Sequence, residues 1–255
     1  MPPLGERAAT TLRYYARRSI YSLPFGGVLQ RMATDRAAAR SRPEAWDGQL
    51  TGAKAAYMKR TFSITARDSL TVSLIELFAP SIATVWDIGC AKGTLARALR
   101  PAGCQRYLGV DISPVAVASA AEVCKDEPDA YPRETHFAQG TMGECTPPPS
   151  LAGAPVDAVV FNEVLYYLPT ARDSADEVAR VFQWVAPNGV VSVSMKDDAK
   201  SHTIIKALSR RFTFLHSVLM QEQIEYPSYR IRINRQRPAY LVALFARPGS
   251  GGSAP

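Results

Sequence analysis

The chain has 255 residues, of which 47% are hydrophobic, 21% charged and 9% aromatic. This composition is typical of a globular protein and excludes a largely disordered chain. No run of apolar residues approaches the roughly 18 that are needed to cross a bilayer. The four cysteines form no CxxC pair, so we expect reduced thiols and a cytoplasmic protein.

The formal net charge of +7 is concentrated near the start of the chain. Residues 1–42 contain eight arginines and two acidic residues, so the remainder is almost neutral. We interpret residues 1–45 as a basic, partly helical arm that packs over the main domain, with a transit peptide or a membrane-surface helix as alternatives. Residues 46–248 are predicted to form the main domain, and residues 249–255 a flexible tail. Because phosphate recognition needs a continuous basic face on the fold, nucleic acid is not the expected partner.

Short apolar strands alternate with helices through the main domain, which predicts a parallel sheet buried on both faces. In chain order the pattern predicts a strand at 83–88, a helix at 94–100, a strand at 106–110, a helix at 114–124, strands at 135–138 and 157–161, a helix at 171–185, a strand at 190–194, a helix at 202–211 and a strand at 240–245.

The loop after the first predicted strand has the composition of a ligand site. It reads Asp87-Ile88-Gly89-Cys90-Ala91-Lys92-Gly93, and its glycines remove side chains where a ligand would contact backbone. Asp111 follows the second predicted strand, where a carboxylate can bind a ribose diol. The GxGxxG pattern of dinucleotide sites is absent. A carboxylate at position 87 disfavours a pyrophosphate and favours a cationic adenosyl ligand.

The same loop resembles the first motif, D-x-G-x-G-x-G, of class I S-adenosylmethionine-dependent methyltransferases, with Ala91 in place of the middle glycine. Asp111 matches the acidic residue after their second strand, and residues 157–168 (DAVVFNEVLYYL) are similar to their fourth-strand motif, most of all in nodulation-type small-molecule methyltransferases. This resemblance implies an α/β, Rossmann-like fold with helices on both faces of a seven-stranded, mostly parallel sheet whose last strand is antiparallel. It also implies helices before the first strand that close a lid over the site, and S-adenosylmethionine as the methyl donor.

The resemblance further implies a set of site residues. Asp111 would bind the ribose, Ile112 would pack on the adenine, and Thr141 stands near the place where the family often has an acid that reads the adenine amino group. Arg67 would pair with the methionine carboxylate, or else be a solvated arginine. The expected cofactor-binding residues are Arg67, Asp87, Gly89, Cys90, Ala91, Gly93, Asp111, Ile112, Thr141, Met142 and Asn162.

Two side chains are candidate catalytic groups. Glu163 directly follows a buried strand and would act as a base or substrate anchor, with a solvated or capping carboxylate as the alternative. His202 lies in a segment that could overhang the site, with a surface histidine as the alternative. Methyl transfer from a sulfonium is an in-line displacement, and it needs a base only when the acceptor loses a proton.

The acceptor is expected to be a small molecule that is methylated on oxygen or nitrogen. Residues 162–165 read NEVL, which differs from the [DNS]-PP-[FYW] pattern of enzymes that methylate exocyclic amines of bases. The sequence has no cluster of metal ligands, which predicts a metal-independent reaction. Two alternatives stay open: an RNA methyltransferase that uses the arginine-rich arm, and a non-catalytic scaffold with this fold.

Overall fold

The structure is a computed structural model that describes residues 43, 47, 64–79, 81–147, 155–221 and 239–248. The predicted tail, and all but residue 43 of the predicted arm, lie outside the described residues. Within the described residues, the helices are α1 (Ala66–Phe78), α2 (Thr94–Leu99), α3 (Pro114–Asp126), α4 (Ala171–Val181) and α5 (Ala199–Ser209). The strands are β1 (Thr84–Ile88), β2 (Arg106–Asp111), β3 (Glu134–Gln139), β4 (Val156–Asn162), β5 (Val185–Lys196), β6 (Thr213–Gln221) and β7 (Ala239–Ala246).

The seven strands form a single sheet in the order β3-β2-β1-β4-β5-β7-β6. Strands β1 to β5 pair in parallel, and β7 runs antiparallel to both of its neighbours. The predicted fold class is therefore confirmed, including the antiparallel last strand. The chain builds the sheet outwards from β1 to β3 and then returns to β4 on the other side of β1. This reversal opens a crevice at the carboxyl ends of β1 and β4, where ligands bind in open sheets of this type.

Helices cover both faces of the sheet and divide the core in two. Alternate residues of β1 point to opposite faces, so Val85 packs on one side and Trp86 on the other. The core around Val85 includes residues of α1, α2 and α3, whereas the core around Trp86 includes residues of α4 and α5. This packing fixes the strand ends that carry the site.

The helix predicted at 171–185 is shorter than expected, because α4 ends at Val181 and a 3₁₀ turn, Phe182–Trp184, follows it. Val185 is already extended and pairs with Val156, and the Arg247 guanidinium donates to the carbonyls of Phe182 and Val185. These carbonyls therefore bond to Arg247 instead of continuing the helix.

Strand β6 was missed by the pattern analysis. It lies at the edge of the sheet, and a register shift between Phe214 and His216 disturbs the alternation of buried and exposed side chains. Helix α5 begins three residues earlier than predicted, because the Asp198 carboxylate caps it by accepting from the Ser201 N–H. Among the described helices, none is long and apolar enough to cross a membrane.

Candidate active site

The loop after β1 turns sharply and packs against the end of β2. Gly89, Ala91 and Gly93 all have positive φ, at 83°, 46° and 69°. The Gly89 and Cys90 N–H groups both donate to the Val110 carbonyl. A left-handed backbone is costly for residues with a Cβ, so the turn favours glycine at positions 89 and 93. Ala91 adopts the same backbone region at the position where the family that the sequence resembles has glycine.

Asp87 is a buried carboxylate within β1, 2% exposed. Its Oδ2 accepts from the Tyr107 hydroxyl at 2.7 Å, and its Oδ1 has no hydrogen-bond partner among the described residues. Burial raises the pKa of Asp87 to about 7, and the Tyr107 hydrogen bond partly opposes this rise. A buried acceptor oxygen without a partner is unfavourable, so this position suits a ligand that brings a donor or a positive charge.

Asp111 ends β2 and holds the neighbouring loops in place. One carboxylate oxygen accepts from the Ala91 N–H and the other from the Ser113 N–H, both at 2.9 Å. Burial raises the pKa of Asp111, and these two hydrogen bonds partly oppose the rise. The Ser113 hydroxyl in turn donates to Asp47 at 2.5 Å. Each oxygen of a carboxylate has a second lone pair, so the orientation of Asp111 leaves acceptor capacity for a diol.

The turn after β3 contains an acid that the sequence analysis overlooked. Glu144 accepts from the Thr141 hydroxyl at 2.6 Å, and its side chain is exposed. Met142, in the same turn, packs against the core around Trp86. An acid was expected only at the strand end itself, whereas the turn brings the Glu144 carboxylate back to the Thr141 hydroxyl.

The end of β4 carries two polar side chains with unpartnered buried atoms. Asn162 Oδ1 and Glu163 Oε1 are buried and have no partner among the described residues. Glu163 has φ of 60°, and its N–H donates to the Ser194 carbonyl. A left-handed conformation at a residue with a long side chain costs roughly 1–2 kcal/mol, and such strain is typical of functional sites.

Glu163 is held by two neighbours. Its Oε2 accepts from the Tyr166 hydroxyl at 3.0 Å and lies 3.9 Å from the Arg67 guanidinium. Burial raises the pKa of Glu163, and Arg67 and Tyr166 partly oppose the rise. The carboxylate is therefore oriented through one oxygen while the other stays available.

Arg67 links the two halves of the crevice from the first turn of α1. Besides its contact with Glu163, its guanidinium lies 5.0 Å from the ring centre of Tyr240, a cation–π distance. The same guanidinium acts on Asp87 and lowers the pKa of that carboxyl. Its Nε is buried without a partner in the described part of the chain.

The loops after β1 and β4 are in direct contact. A Cβ added at Gly89 would lie 2.1 Å from Cγ1 of Val164, the residue that follows Glu163. Asp87, Asn162, Glu163 and Arg67 therefore belong to one crevice at the reversal point of the sheet.

Three other predicted site residues, Cys90, Ile112 and His202, make contacts of a different kind. The Cys90 side chain is buried and faces Gly109, so only its backbone is suited to contact a ligand. The Ile112 carbonyl accepts from Gln139 at 3.3 Å. His202 lies on α5, is largely exposed and pairs with Asp197 at 2.6 Å. Its role as a catalytic group stays a prediction.

Two further observations concern metal ligands and cysteine thiols. The described residues contain no group of three or more His, Cys, Asp and Glu side chains that could hold a metal ion. All four cysteines of the sequence are described and free, and Cys124 alone of the four is not buried.

The unpartnered oxygens of Asp87, Asn162 and Glu163 fit a ligand that is rich in donors and positively charged. S-adenosylmethionine has these properties, since it carries an ammonium group, ribose hydroxyls and a sulfonium. In the β1 loop beside them, Gly89 and Ala91 are half-buried, whereas Gly93 is buried against Phe137. The residues present therefore fit this cofactor.

Comparisons with known proteins identify a methyltransferase domain in the part of the chain that contains this site. Residues 86–191 match the family model described as a methyltransferase domain. A 53-residue stretch is 43% identical to a ribosomal protein L11 methyltransferase of Clostridium botulinum, and it spans 21% of this chain but only 17% of that relative. A peramine synthetase of Metarhizium majus is 27% identical over 48% of this chain and 4% of its own length.

Solved structures share the fold over most of the chain. The N-methyltransferase NodS of Bradyrhizobium japonicum, in complex with S-adenosyl-L-homocysteine, superposes with a TM-score of 0.56 at 19% identity, covering 84% of this chain and 98% of NodS. Magnesium protoporphyrin IX methyltransferase of Synechocystis, with bound S-adenosylmethionine, has a TM-score of 0.57 at 15% identity and covers 81% of this chain and 97% of that one. Residues 86–191, about two fifths of the chain, thus match a methyltransferase domain, and the described residues share the fold of these S-adenosylmethionine-dependent methyltransferases.

Proposed function

We propose that the protein transfers a methyl group from S-adenosylmethionine to an oxygen or nitrogen atom of a small molecule. The observation that carries this proposal is the set of buried acceptor oxygens without partners, on Asp87, Asn162 and Glu163, at two loops that touch each other. Among the described residues, these oxygens lack the hydrogen-bond donors that buried acceptor atoms need. S-adenosylmethionine and the small molecule to be methylated, bound side by side, would supply these hydrogen-bond donors.

On the donor side, each residue has a distinct task. Asp87 meets the positively charged end, and Asp111 binds the ribose with its remaining lone pairs. The half-buried backbone at Gly89 and Ala91 lets the ligand lie against the turn. When bound, S-adenosylmethionine supplies a methyl group on a sulfur that is already an activated leaving group, so the protein mainly positions the acceptor and excludes water.

On the acceptor side, Glu163 holds and deprotonates the attacking group. Its free Oε1 accepts the proton of a hydroxyl or an ammonium, while Tyr166 and Arg67 keep Oε2 in place. Its raised pKa makes it a better base than a solvated glutamate. The lone pair released on the acceptor then attacks the methyl carbon, and the pair of the broken carbon–sulfur bond returns to sulfur.

A small-molecule acceptor is supported by the fold neighbours. One of them is named for its action on magnesium protoporphyrin IX, and another is an N-methyltransferase. The RNA alternative depends on the arginines of residues 1–42, which lie outside the described residues. The four free cysteines support a cytoplasmic location for the proposed reaction.

The first test is donor binding by the full-length protein, measured by calorimetry. The wild type should bind S-adenosylmethionine, and Asp111→Asn should weaken binding by about 10- to 150-fold, because hydrogen bonds to a charged acceptor contribute about 1.5–3 kcal/mol. Asp129→Asn, at an exposed aspartate after α3, is the matched control and should bind normally. Absence of binding by the wild type at millimolar donor would refute the proposed function.

The second test is methyl transfer from labelled donor to separate panels of small amines, phenols and carboxylic acids, with RNA and ribosomal protein as competing acceptors. For an acceptor that loses a proton, Glu163→Gln should lower kcat by about 10²- to 10⁴-fold while donor affinity changes little. The wild-type rate should rise with pH through a midpoint above 4.5, the ordinary glutamate pKa. Glu122→Gln, at an exposed glutamate of α3, should behave as wild type. Label found only in RNA or protein would overturn the small-molecule assignment.

A further inference from the structure

Tyr107 lies beneath the site, in β2, and its side chain is completely buried. It is paired in register with Val85, two residues before Asp87 on the neighbouring strand. Its hydroxyl donates to Asp87 Oδ2 at 2.7 Å. This bond joins β1 and β2 through side chains, below the loop that would contact the donor.

Packing holds the Tyr107 ring in one orientation. The ring meets Phe137 of β3 edge to face, with the ring centres 5.8 Å apart. Phe137 is confined in turn, because a Cβ added at Gly93 would come within 2.5 Å of it. The tyrosine hydroxyl therefore has a fixed position, and its hydrogen bond fixes the orientation of the Asp87 carboxylate.

The fixed bond determines which oxygen of Asp87 is free. Oδ2 is engaged, and Oδ1 has no partner within the described ranges. Among the described residues, the charged and titratable groups that most influence this carboxylate are Arg67 and Asp68 of α1 and Tyr107 and Asp111 of β2, and Asp87 in turn influences the Cys90 thiol of the loop. Arg67 is the single cation in this set, so a positively charged ligand would add a favourable partner to a mainly acidic surrounding.

We propose that Tyr107 is a positioning residue for the methyl donor: its hydroxyl holds the Asp87 carboxylate in one orientation, with the second oxygen free for the positive end of S-adenosylmethionine. This inference rests on the proposed function. The hydroxyl also favours the ionised form of Asp87, since a hydrogen bond to a carboxylate lowers its pKa. It thereby sets the pH above which the donor binds well.

The test is donor affinity against pH, from about 5.5 to 9.5, for the full-length wild type and Tyr107→Phe. Affinity of the wild type should rise through a midpoint near 7, the pKa of Asp87. Loss of one hydrogen bond to the carboxylate should move this midpoint up by about one to two pH units and weaken binding at pH 7 by about 5- to 50-fold. The donor titrates identically in both experiments, so the difference between the midpoints reports on the protein.

Tyr131→Phe is the matched control, because Tyr131 is also a fully buried tyrosine of the same core, near Arg97 and remote from Asp87. It should keep the wild-type midpoint. In an Asp87→Asn background, Tyr107→Phe should have no further effect on affinity. If Tyr107→Phe fails to fold, NMR of the wild type decides: the Tyr107 ring resonances should shift as Asp87 ionises, because the hydroxyl donates to that carboxylate, and this titration should move to lower pH when donor is added.

The outcomes separate the two proposals. A wild type that binds no donor refutes the proposed function. A wild type that binds donor, with Tyr107→Phe giving the same affinity and midpoint, overturns the role of Tyr107 alone. Tyr107 ring resonances that do not follow the ionisation of Asp87 also overturn it.

Discussion

Gly89→Ala tests the contact between the two loops of the site. The new Cβ would lie 2.1 Å from Val164 Cγ1, at a backbone φ of 83°. Two separate costs follow, because the left-handed backbone strains an alanine and the valine methyl must move. The first is roughly 1–2 kcal/mol and the second about 1–3 kcal/mol. The free energy of unfolding should therefore fall by about 2–5 kcal/mol.

The two costs can be separated with a second substitution. Val164→Ala removes the two methyl groups that the new Cβ meets and keeps only Cβ, at 3.2 Å, so the double variant should keep the backbone strain and lose most of the clash. Relative to additivity, the double variant should be more stable by about 1–3 kcal/mol. Gly103→Ala is the matched control for strain alone, because its φ is 87° and nothing lies within 4 Å of an added Cβ.

Urea denaturation of the wild type and the four variants, with donor affinity measured by calorimetry, gives the required free energies. Gly89→Ala should also weaken donor binding, since the displaced loop carries the proposed ligand contacts. The reasoning is refuted if Gly89→Ala costs no more than Gly103→Ala, or if Val164→Ala fails to recover part of the loss.

Three further predictions concern single residues. The folded-state pKa of Asp87, about 7, lies above its ordinary value of 3.8, so the folded protein retains a proton that the unfolded chain has released, and stability falls as pH rises from about 4 to 7. Asp87→Asn should remove this loss of stability, which is at most roughly 4 kcal/mol. Denaturation at pH 4.5 and 8 checks this, because the free energy of unfolding of the variant relative to the wild type should rise with pH. Ala91→Gly should raise the melting temperature slightly, with a gain of at most about 1 kcal/mol because strain relief is offset by unfolded-chain entropy; a clear loss of stability would contradict the strain. Glu144→Gln should weaken donor binding several-fold in calorimetry if this carboxylate reads the adenine amino group, whereas equal affinity would exclude that role.

Local sequence patterns determined most of the elements that position the site. The β-branched run before Gly89 and the small residues after it predict a strand, a tight turn and a helix, and these are present. Asp111 and Glu163 were placed at strand ends because each directly follows an apolar run. Such features depend on neighbours in the sequence, and they can be recognised without knowledge of the tertiary structure.

Other features depend on contacts between distant residues. The bond from Tyr107 to Asp87 could not be predicted from composition, because a tyrosine in a strand is ordinarily explained by packing. The end of α4 depends on Arg247, more than 60 residues away in the sequence. The edge position and register shift of β6 weakened its pattern, and Glu144 approaches Thr141 only through a turn. Each of these requires the folded arrangement.

The distribution of thiols has a practical consequence for biochemical work. Cys90, Cys104 and Cys145 are buried, whereas Cys124 is partly exposed on α3. A maleimide dye should therefore attach at Cys124 alone under native conditions, without removal of the other three. Cys124 is the eleventh residue of α3, which begins just after Asp111, so the dye would lie roughly 15 Å along the helix from the proposed ribose site and leave that site unobstructed.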